Sequence, residues 1–430
     1  MQMNDMILIS VDDHNVEPPE AFIRHWPAAD KSEAPRIIKR DGKDVWTFHD
    51  KIFPTIGTNA VVGRPREEYG MEPDEFDQMR PGVFDALKRV DDMNVNGQLA
   101  AINFPTFPSF AGGAFLALAD DLAARAIRAY NDWHVHEWCG AAPGRFIPMV
   151  ILPLWDMAAT LAELDRVSKL GVHAISFPDN PARIGLPSIH NAYWDPMWKK
   201  LCDLKIVINC HIGTGSRAEH ASDETPINAW ITTMPMSIAN SAADWVHASF
   251  WNRYPDLRMA LSEGGIGWIP YFLERADFTF EHHGPWTGYM EHGKRPSEVF
   301  KRHIITCFID DKAGLEMMHH MNPDLVTWEC DYPHSDTLWP NCPEYLWECV
   351  KDADPAIINK ISHENVMREY SFDAFGLNGG RENCTVGHLR ELGRDVDVSP
   401  RSNLGGRVTE SMEAKKLVTS GDIVRMLSPA

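Results

Sequence analysis

The sequence predicts an α/β fold, a (β/α)₈ barrel of the TIM-barrel type with a long insertion after the first strand and a C-terminal arm. Short apolar runs rich in β-branched residues recur along the chain, and amphipathic stretches of helical length separate them. Near-continuous apolar strands are typical of a parallel sheet that is covered on both faces. There are eight such runs, which suggests closure into a barrel: residues 6–11, 99–104, 146–152, 174–177, 206–210, 258–262, 304–309 and 325–330.

The segments between the runs support the same fold. Residues 120–138 carry apolar side chains at roughly helical spacing, which predicts a helix before the third strand. The stretch between the first two strands exceeds what one crossover helix requires, and its Pro-rich, Gly-rich and charged part predicts an insertion at about residues 30–85 that covers the site. We predict a barrel domain over residues 1–378 and a polar, basic arm over residues 379–430.

Composition limits the partners of the protein. The formal net charge of −20 over 430 residues argues against nucleic acid or an anionic membrane, because clustered Lys and Arg drive phosphate binding. Acidic residues near the start exclude a secretory signal core, and no long apolar run predicts a membrane span. The eight cysteines form no C-x-x-C pair, which suits reduced thiols. We therefore expect a cytoplasmic protein with a small-molecule substrate.

The end of the first predicted strand carries the first candidate metal ligands. Asp12 and His14 are two positions apart, so strand alternation directs both side chains into the barrel mouth. Glu17 lies just beyond the strand, where it can turn back toward them. An Asp-x-His pair alone is a weak signal, since a polar strand end with satisfied hydrogen bonds has the same sequence.

Later strand ends strengthen the prediction, because the carboxyl ends of all barrel strands open onto one face. His211 follows the fifth run and precedes a Gly-rich loop, Glu263 follows the sixth, and the eighth leads into Asp331 and His334. We predict that Glu263 and His334 are catalytic as well. The predicted metal ligands are Asp12, His14, Glu17, His211, Glu263, Asp331 and His334.

An aromatic loop follows the second predicted strand and faces the same mouth. Its sequence is Phe-Pro-Thr-Phe-Pro-Ser-Phe, from residue 104 to residue 110. Core packing is the usual role of such rings, but a Pro-interrupted loop at a strand end cannot all be core. We therefore predict Phe104 and Phe107 as part of an apolar wall that contacts the substrate.

With these motifs the chain resembles the amidohydrolase-2 branch of the amidohydrolase superfamily, over roughly residues 6–376. The motifs are Asp12-x-His14 on strand one, His211 on strand five, and Asp331-Tyr332-Pro333 on strand eight. The resemblance implies metal-dependent hydrolase or aromatic-acid decarboxylase chemistry on a (β/α)₈ barrel. It also implies that four ligands hold one Zn or Mn, and that a His at the end of strand six donates a proton.

Three departures from that pattern each add a ligand. Glu263 stands where the decarboxylases keep their histidine, and Glu17 and His334 are additional. The enlarged set is similar to a smaller group on the same barrel that holds two iron ions, or an iron/manganese pair, and activates O₂. Carboxylate and imidazole ligands suit Fe(II). The departures therefore favour a non-heme diiron monooxygenase that uses an external electron donor and hydroxylates an organic acid, terpenoid or CoA-linked substrate.

Two alternatives remain open at this point. A metal-dependent hydrolase or decarboxylase, with Mn or Zn in place of Fe, uses the same ligands to generate hydroxide or to polarise a substrate. A non-catalytic subunit of a related enzyme is the second alternative. We expect a homo-oligomer or a hetero-oligomer, since the acidic surface and the C-terminal arm suit association.

Overall fold

The predicted (β/α)₈ barrel is confirmed in the computed structural model, which describes residues 1–70, 72–215 and 218–427. The strands are β1 (Leu8–Asn15), β2 (Arg36–Arg40), β3 (Lys43–Phe48), β4 (Lys51–Phe53), β5 (Gln98–Pro105), β6 (Phe146–Ile147), β7 (Met149–Val150), β8 (Ala174–Ser176), β9 (Val207–His211), β10 (Met259–Ser262), β11 (Ile304–Phe308) and β12 (Val326–Trp328).

The α-helices surround this barrel and the parts attached to it. They are α1 (Ala86–Asn96), α2 (Gly113–Leu116), α3 (Asp121–Trp133), α4 (Met157–Ser168), α5 (Asp195–Leu204), α6 (Ile227–Thr233), α7 (Ile238–Val246), α8 (Ile269–Thr287), α9 (Pro296–His303), α10 (Lys312–Glu316), α11 (Cys342–Val350), α12 (Pro355–Asn359), α13 (Asn365–Glu369), α14 (Ala374–Leu377), α15 (Val386–Leu392), α16 (Glu410–Glu413) and α17 (Ser420–Leu427). Within the described part of the chain, no helix has both the length and the apolar character needed to cross a bilayer.

Two parallel arcs form the barrel wall. One arc has the strand order β1-β5-β6, and the other runs from β7 through β8, β9, β10 and β11 to β12. Backbone hydrogen bonds join their ends, because Asp331 N–H donates to the Asp12 carbonyl at 2.7 Å and His14 N–H donates to the Tyr332 carbonyl at 2.7 Å. The predicted third strand is split at Pro148, which has no N–H to donate to a neighbouring strand. The closure at β1 sets the strand-one and strand-eight candidates side by side.

Alternation along the strands divides the core into two layers. Val207, Ala260 and Ile305 belong to a buried cluster with residues from β1 and β5, which fills the barrel. Their sequence neighbours Ile208 and Leu261 belong to the larger cluster that packs under the helices. This period of two follows from the pleat of the strands. The inward positions at the carboxyl ends of the strands are therefore left for polar side chains.

Capping residues fix where the helices begin and end. Asp85, Asp120 and Asp156 each accept backbone N–H groups in the first turn of α1, α3 and α4, respectively. Gly97 ends α1 with φ of 72°, a left-handed conformation that a glycine adopts at little cost, and β5 starts at the next residue. The predicted helix over residues 120–138 is α3 followed by a π-helical turn, His134–Cys139.

The insertion contains a small antiparallel sheet of β2, β3 and β4. The C-terminal arm contacts the insertion after this sheet. Arg401 N–H donates to the Gly63 carbonyl at 2.8 Å, and Arg407 N–H donates to the Glu72 carbonyl at 2.7 Å. Farther on, Ser420 N–H donates to the backbone of the loop before α6. The domain limits at residues 30, 85 and 378 remain predictions.

Candidate metal centre

The candidate ligands lie at the carboxyl ends of barrel strands, as a shared site on this fold requires. Asp12 and His14 belong to β1, and His211 is the last residue of β9. Glu263 directly follows β10 and has a φ of 58°. Asp331 lies just beyond the end of β12 and has a φ of 55°. Positive φ costs about 1–3 kcal/mol at a non-glycine residue, and such strain is concentrated at functional sites. The fold therefore accepts strain in order to aim these two carboxylates.

Four of the predicted ligands converge on one point. Asp12 Oδ1 lies 3.3 Å from His14 Nε2, and Asp12 Oδ2 lies 3.6 Å from His211 Nε2. Asp331 Oδ1 lies 3.4 Å from the same nitrogen of His14. All four residues are buried. Asp12, His14 and His211 form one group of ligand atoms of the size that holds a metal ion, and His14 and Asp331 form a second one together with His334.

Unsatisfied polar atoms indicate what these residues hold. Among the described residues, both carboxylate oxygens of Asp12 and of Asp331, and both ring nitrogens of His14, are buried without a hydrogen-bond partner. Leaving such groups unpaired costs free energy, so native proteins rarely do so without a metal, water or ligand. Two carboxylates with two imidazoles are a ligand set that Zn²⁺ and Mn²⁺ accept. The residues therefore fit a divalent cation.

The electrostatics of the cluster point the same way. Burial raises the pKa values of Asp12 and Asp331 well above their usual range, and burial lowers the pKa of His14. Each residue is thus driven toward its neutral form when no cation is near. A divalent cation reverses this preference for the carboxylates and is compatible with neutral imidazole.

His211 is held in the tautomer that a metal ligand needs. Its Nδ1 lies 2.7 Å from the Ile212 carbonyl and donates to it, so Nε2 faces the cluster. Burial would lower the pKa of His211, but the carboxylates of Asp12 and Glu263 outweigh burial and raise the pKa to about 9. Without metal, a proton on Nε2 therefore lies between these two acids.

Glu263 connects the cluster to open space. Its Oε2 lies 3.0 Å from His211 Nε2, and its side chain is 14% exposed. Burial would raise the pKa of this carboxyl, but the hydrogen bond with His211 and the charges of His211 and His334 together outweigh burial and lower the pKa. A cavity of about 710 Å³ begins at this carboxylate. The other residues that line the cavity include Arg66, Tyr69, Trp268, Glu329 and Asp336.

His334 is the second imidazole face of the site. Its ring lies 3.9 Å from that of His14, and its Nδ1 lies 2.9 Å from Asp331 Oδ1. The ring also bonds to the Thr58 backbone, while Nε2 is buried without a hydrogen-bond partner within the described residues. Burial lowers the pKa of His334 to about 4, so the ring is neutral at pH 7. It groups with His14 and Asp331 as possible metal ligands.

The structure corrects the predicted role of Glu17. Its two carboxylate oxygens accept the backbone N–H groups of Thr106 at 3.0 Å and Phe107 at 2.8 Å. The groups of possible metal ligands found among the described residues do not include it. Burial raises the pKa of Glu17 to about 7. Glu17 anchors the loop after β5, and the structure does not bring it into the groups of possible ligands.

The two predicted substrate aromatics have different positions. Phe104 packs against the rings of His14 and His211, at centroid distances of 5.7 and 5.0 Å. Phe107 instead stacks on Trp46 at 4.4 Å, within the aromatic core of the insertion, so the structure does not bring it to the cavity. Phe110 lies nearer the site than sequence reasoning expected, 4.4 Å from the ring of His211.

Sequence reasoning missed Glu329, which lines the cavity beside Glu263. Its Oε2 accepts the backbone N–H of Glu263 at 3.2 Å and the thiol of Cys307 at 2.5 Å. Burial raises the pKa of Glu329 to about 7. A glutamate in the otherwise apolar end of a barrel strand, two positions before Asp331, was the available signal.

Known proteins similar to this chain are decarboxylases as well as amidohydrolases. The decarboxylase OrsB of Emericella nidulans is 29% identical over 273 residues, which is 59% of this chain and 77% of the relative. An amidohydrolase structure from Mycobacterium avium subsp. paratuberculosis covers 85% of this chain and 99% of its own, with 18% identity and a TM-score of 0.64. A dihydroxybenzoic acid decarboxylase from Polaromonas, solved with manganese and 2-nitroresorcinol, covers 85% and 97%, with 17% identity and a TM-score of 0.57.

These relatives show that the predicted diiron monooxygenase is wrong. The curated relative is a decarboxylase, which supports the alternative interpretation, and Glu17 does not join the cluster. The predicted iron pair, O₂ and external electron donor depended on that interpretation and are withdrawn with it. The amidohydrolase family model matches residues 24–372, which is most of the barrel. The chain therefore belongs to the amidohydrolase family.

Proposed function

We propose that this protein is a metal-dependent decarboxylase that removes the carboxyl group from a small aromatic acid carrying a ring hydroxyl. The observation that carries the proposal is that Asp12 and His211 lie with His14 in one group of possible ligands, and Asp331 and His334 lie in a second group that shares His14, with buried ligand atoms that have no hydrogen-bond partner among the described residues. The similarity to a curated decarboxylase supports the reaction type, and the dihydroxybenzoic acid decarboxylase of the same fold suggests the substrate class.

Asp12, His14, His211 and Asp331 would hold one divalent cation, for which manganese is our first candidate. When bound, such an ion acts as a Lewis acid that orients oxygen atoms of the substrate and stabilises negative charge on them. The Ile212 carbonyl keeps the metal-facing nitrogen of His211 free of a proton once the ion is present. The burial of all four residues excludes water from the same point.

Glu263 is positioned to transfer the proton that the reaction requires. A ring carbon that loses CO₂ must gain a proton, and the donor must reach that carbon from beside the cluster. Glu263 lies between His211 and the cavity, on a backbone that Glu329 holds. Because His211 lowers its pKa, Glu263 would first take up the proton from solvent in the cavity and then deliver it to the ring carbon. We assign to Glu263 the place in which the resembling decarboxylases use a histidine.

His334 has the chemistry to recognise a ring hydroxyl. Its Nε2 is a buried acceptor without a partner within the described residues, and the ring is neutral near pH 7. A phenolic O–H that donates to this nitrogen would lie next to Asp331 and the cluster. The cavity of about 710 Å³ is within the usual range for sites that bind small molecules.

A metal-dependent hydrolase is the second candidate function, and Glu263 is again the reason. A carboxylate beside a metal centre can accept a proton from an attacking water, as in hydrolases with a metal-bound nucleophile. The pKa of Glu263 is lowered by His211, which keeps the carboxyl ionised and suits a base. The two candidates differ in their products, so one experiment distinguishes them.

The test supplies the protein with Mn²⁺ or Zn²⁺ and a panel of hydroxybenzoic acids in D₂O. Decarboxylation predicts release of CO₂ and one deuterium at the carbon that carried the carboxyl group. The Glu263→Gln variant should keep its metal and lose deuterium transfer, whereas Asp331→Asn should lose both metal and turnover. Hydrolysis of an aryl ester, amide or lactone with no CO₂ from any acid would replace the proposal with the hydrolase.

A further inference from the structure

The outer face of α8 carries large exposed apolar side chains in a row. Tyr271, Phe278 and Trp286 are 74%, 48% and 76% exposed. They lie at intervals of seven and eight residues, which on an α-helix keeps them on one face. The opposite face of the helix is buried against the barrel through residues such as Leu273 and Ala276. Contiguous exposed apolar side chains of this kind mark interaction surfaces.

Charged and aromatic side chains complete this face, which we name the α8 stripe. The Arg275 guanidinium lies over the ring of Phe278 at 5.0 Å, and the ring of His282 stacks on that of Phe278 at a centroid distance of 5.1 Å. The stripe is Tyr271, Glu274, Arg275, Phe278, Glu281, His282 and Trp286. These ring contacts hold its centre in one arrangement before any partner binds, which lowers the entropy cost of association.

The order of charges along the stripe is complementary to itself. When two copies of a helix pack antiparallel about a two-fold axis, residues equally far before and after the axis face one another. With the axis at Phe278, Arg275 faces Glu281 of the second copy, and Glu274 faces His282 of the second copy. Moving the axis by half a residue places Arg275 against His282 instead. The charge order therefore favours one partner and one register.

The surface available suits a reversible dimer. A fully buried aromatic side chain contributes about 150–250 Å², so the three exposed rings offer roughly 300–500 Å² on each protomer. The polar members of the stripe and Met290, which is 47% exposed, extend it. The total approaches the lower limit of about 1,200 Å² at which specific interfaces begin. Because the chain carries a net charge of −20, a contact between two copies also needs the opposite charges that the stripe aligns.

We propose that the α8 stripe is the contact surface of a homodimer, in which two copies of this chain pack α8 against α8 antiparallel about a two-fold axis near Phe278. Tyr271 of one copy then faces Pro285 of the other, one position from Trp286. The interface lies on the outside of the barrel and leaves the metal centre of each copy open through its own cavity.

A cysteine at the axis gives the sharpest test, because a residue on a two-fold axis meets its own copy. Under mild oxidation, Phe278→Cys should form a covalent dimer of twice the 48.6 kDa chain mass. The matched control is Leu87→Cys, which places a cysteine at an exposed position of α1, outside the stripe. The wild-type chain, with its eight native cysteines, gives the background. Equal crosslinking of the two variants would contradict the proposal.

A charge exchange tests the register. In sedimentation velocity, Arg275→Glu should raise the dimer dissociation constant by about tenfold or more, because it opposes Glu281 of the second copy. Glu281→Arg should do the same, and the double variant should return the constant toward the wild-type value. Glu281 also pairs with Arg295 of its own chain, but that pair is exposed and of small weight. Glu281→Gln removes the charge pair with Arg295 without adding a positive charge, and it is therefore the control for the loss of that pair.

Three outcomes would overturn the dimer: a wild-type chain that stays monomeric at high concentration, a dimer unaffected by Arg275→Glu, or a double variant weaker than both single variants. Trp286→Ala guards against misfolding of the charge variants, since it removes an exposed ring and one surface hydrogen bond, from the indole N–H to His283. It should weaken the dimer without changing the thermal midpoint of the monomer. A dimer that keeps its wild-type affinity in this variant also contradicts the proposal.

Discussion

Two buried acids, Asp12 on β1 and Glu17 just beyond its end, lie five residues apart, and their surroundings differ. Asp12 has two carboxylate oxygens without a hydrogen-bond partner among the described residues, and it faces Asp331 and two imidazoles. Glu17 is equally buried, but two backbone N–H groups satisfy its oxygens. Burial and position at a strand end are therefore shared by a ligand and an anchor. What separates them is whether the protein itself supplies the partner.

The largest expected effect comes from breaking the ligand cluster. Asp331→Asn removes one of two anionic ligands, so metal content should fall from about one ion per chain and kcat should drop by about 10³-fold or more. Elemental analysis and turnover measure the two quantities. Asp13→Asn is the matched control, since Asp13 is a buried acid of β1, next to Asp12, whose oxygens accept hydrogen bonds from Ser10 and Gln98. Loss of metal in both variants would contradict the distinction between acids that hold the metal and acids that are satisfied by protein hydrogen bonds.

Substitution of Glu17, which anchors the loop after β5, should lower stability and leave the metal content unchanged. Glu17→Ala leaves the N–H groups of Thr106 and Phe107 buried without acceptors, which costs about 2–6 kcal/mol of the free energy of unfolding. Metal content of the folded fraction should not change. Urea denaturation and elemental analysis of the same sample test both statements. A lower metal content at unchanged stability would return Glu17 to the ligand set.

A smaller effect is expected at Glu329, a hydrogen-bonded acid that also lines the cavity of the site. Glu329→Ala removes the acceptor for the Glu263 N–H, so the left-handed conformation of Glu263 loses its support. Mutation of a residue that positions a site residue through a hydrogen bond typically lowers activity by about 10–100-fold. We expect kcat to fall by that factor and the metal content to stay unchanged. Glu329→Gln retains an acceptor oxygen and should restore most of the activity. If Gln is as inactive as Ala, positioning is not the role of Glu329.

The smallest effect is a pH dependence of metal affinity. Below about pH 9, His211 of the metal-free protein carries a proton that the ion must displace. The metal dissociation constant should therefore fall by at least about tenfold for each pH unit as pH rises toward 9, because each ion displaces the His211 proton and any proton on Asp12 or Asp331, whose pKa values burial raises. Calorimetry in two buffers of different ionisation enthalpy counts the protons. Uptake of metal without proton release would show that His211 is neutral before binding.

Much of the fold and of the cluster could be predicted from local sequence. Apolar runs of strand length identified the barrel, and the topology then required Asp12, His211 and Asp331 to meet although hundreds of residues separate them. The split of the third strand at Pro148 follows from one missing N–H. These inferences needed only the strand periodicity and the rule that carboxyl ends share a face.

The remaining site residues depend on contacts that the sequence does not encode locally. The amides that satisfy Glu17 belong to the loop after β5, and that loop reaches Glu17 only in the folded barrel. The position of Phe107 could not be predicted for the same reason, since its stacking partner Trp46 comes from the insertion. The monooxygenase interpretation failed for this reason. It counted residue types that can bind a metal without knowing which of them already had partners.

The path of the C-terminal arm has a consequence for the order of events in the cell. Residues 397–427 hold the insertion through Gly63 and Glu72 and then reach the loop before α6. On the ribosome this arm is synthesised after every barrel strand, so the barrel can close before the insertion is fastened over its mouth. The chain order thus allows the metal to enter first and the cover to be secured afterwards.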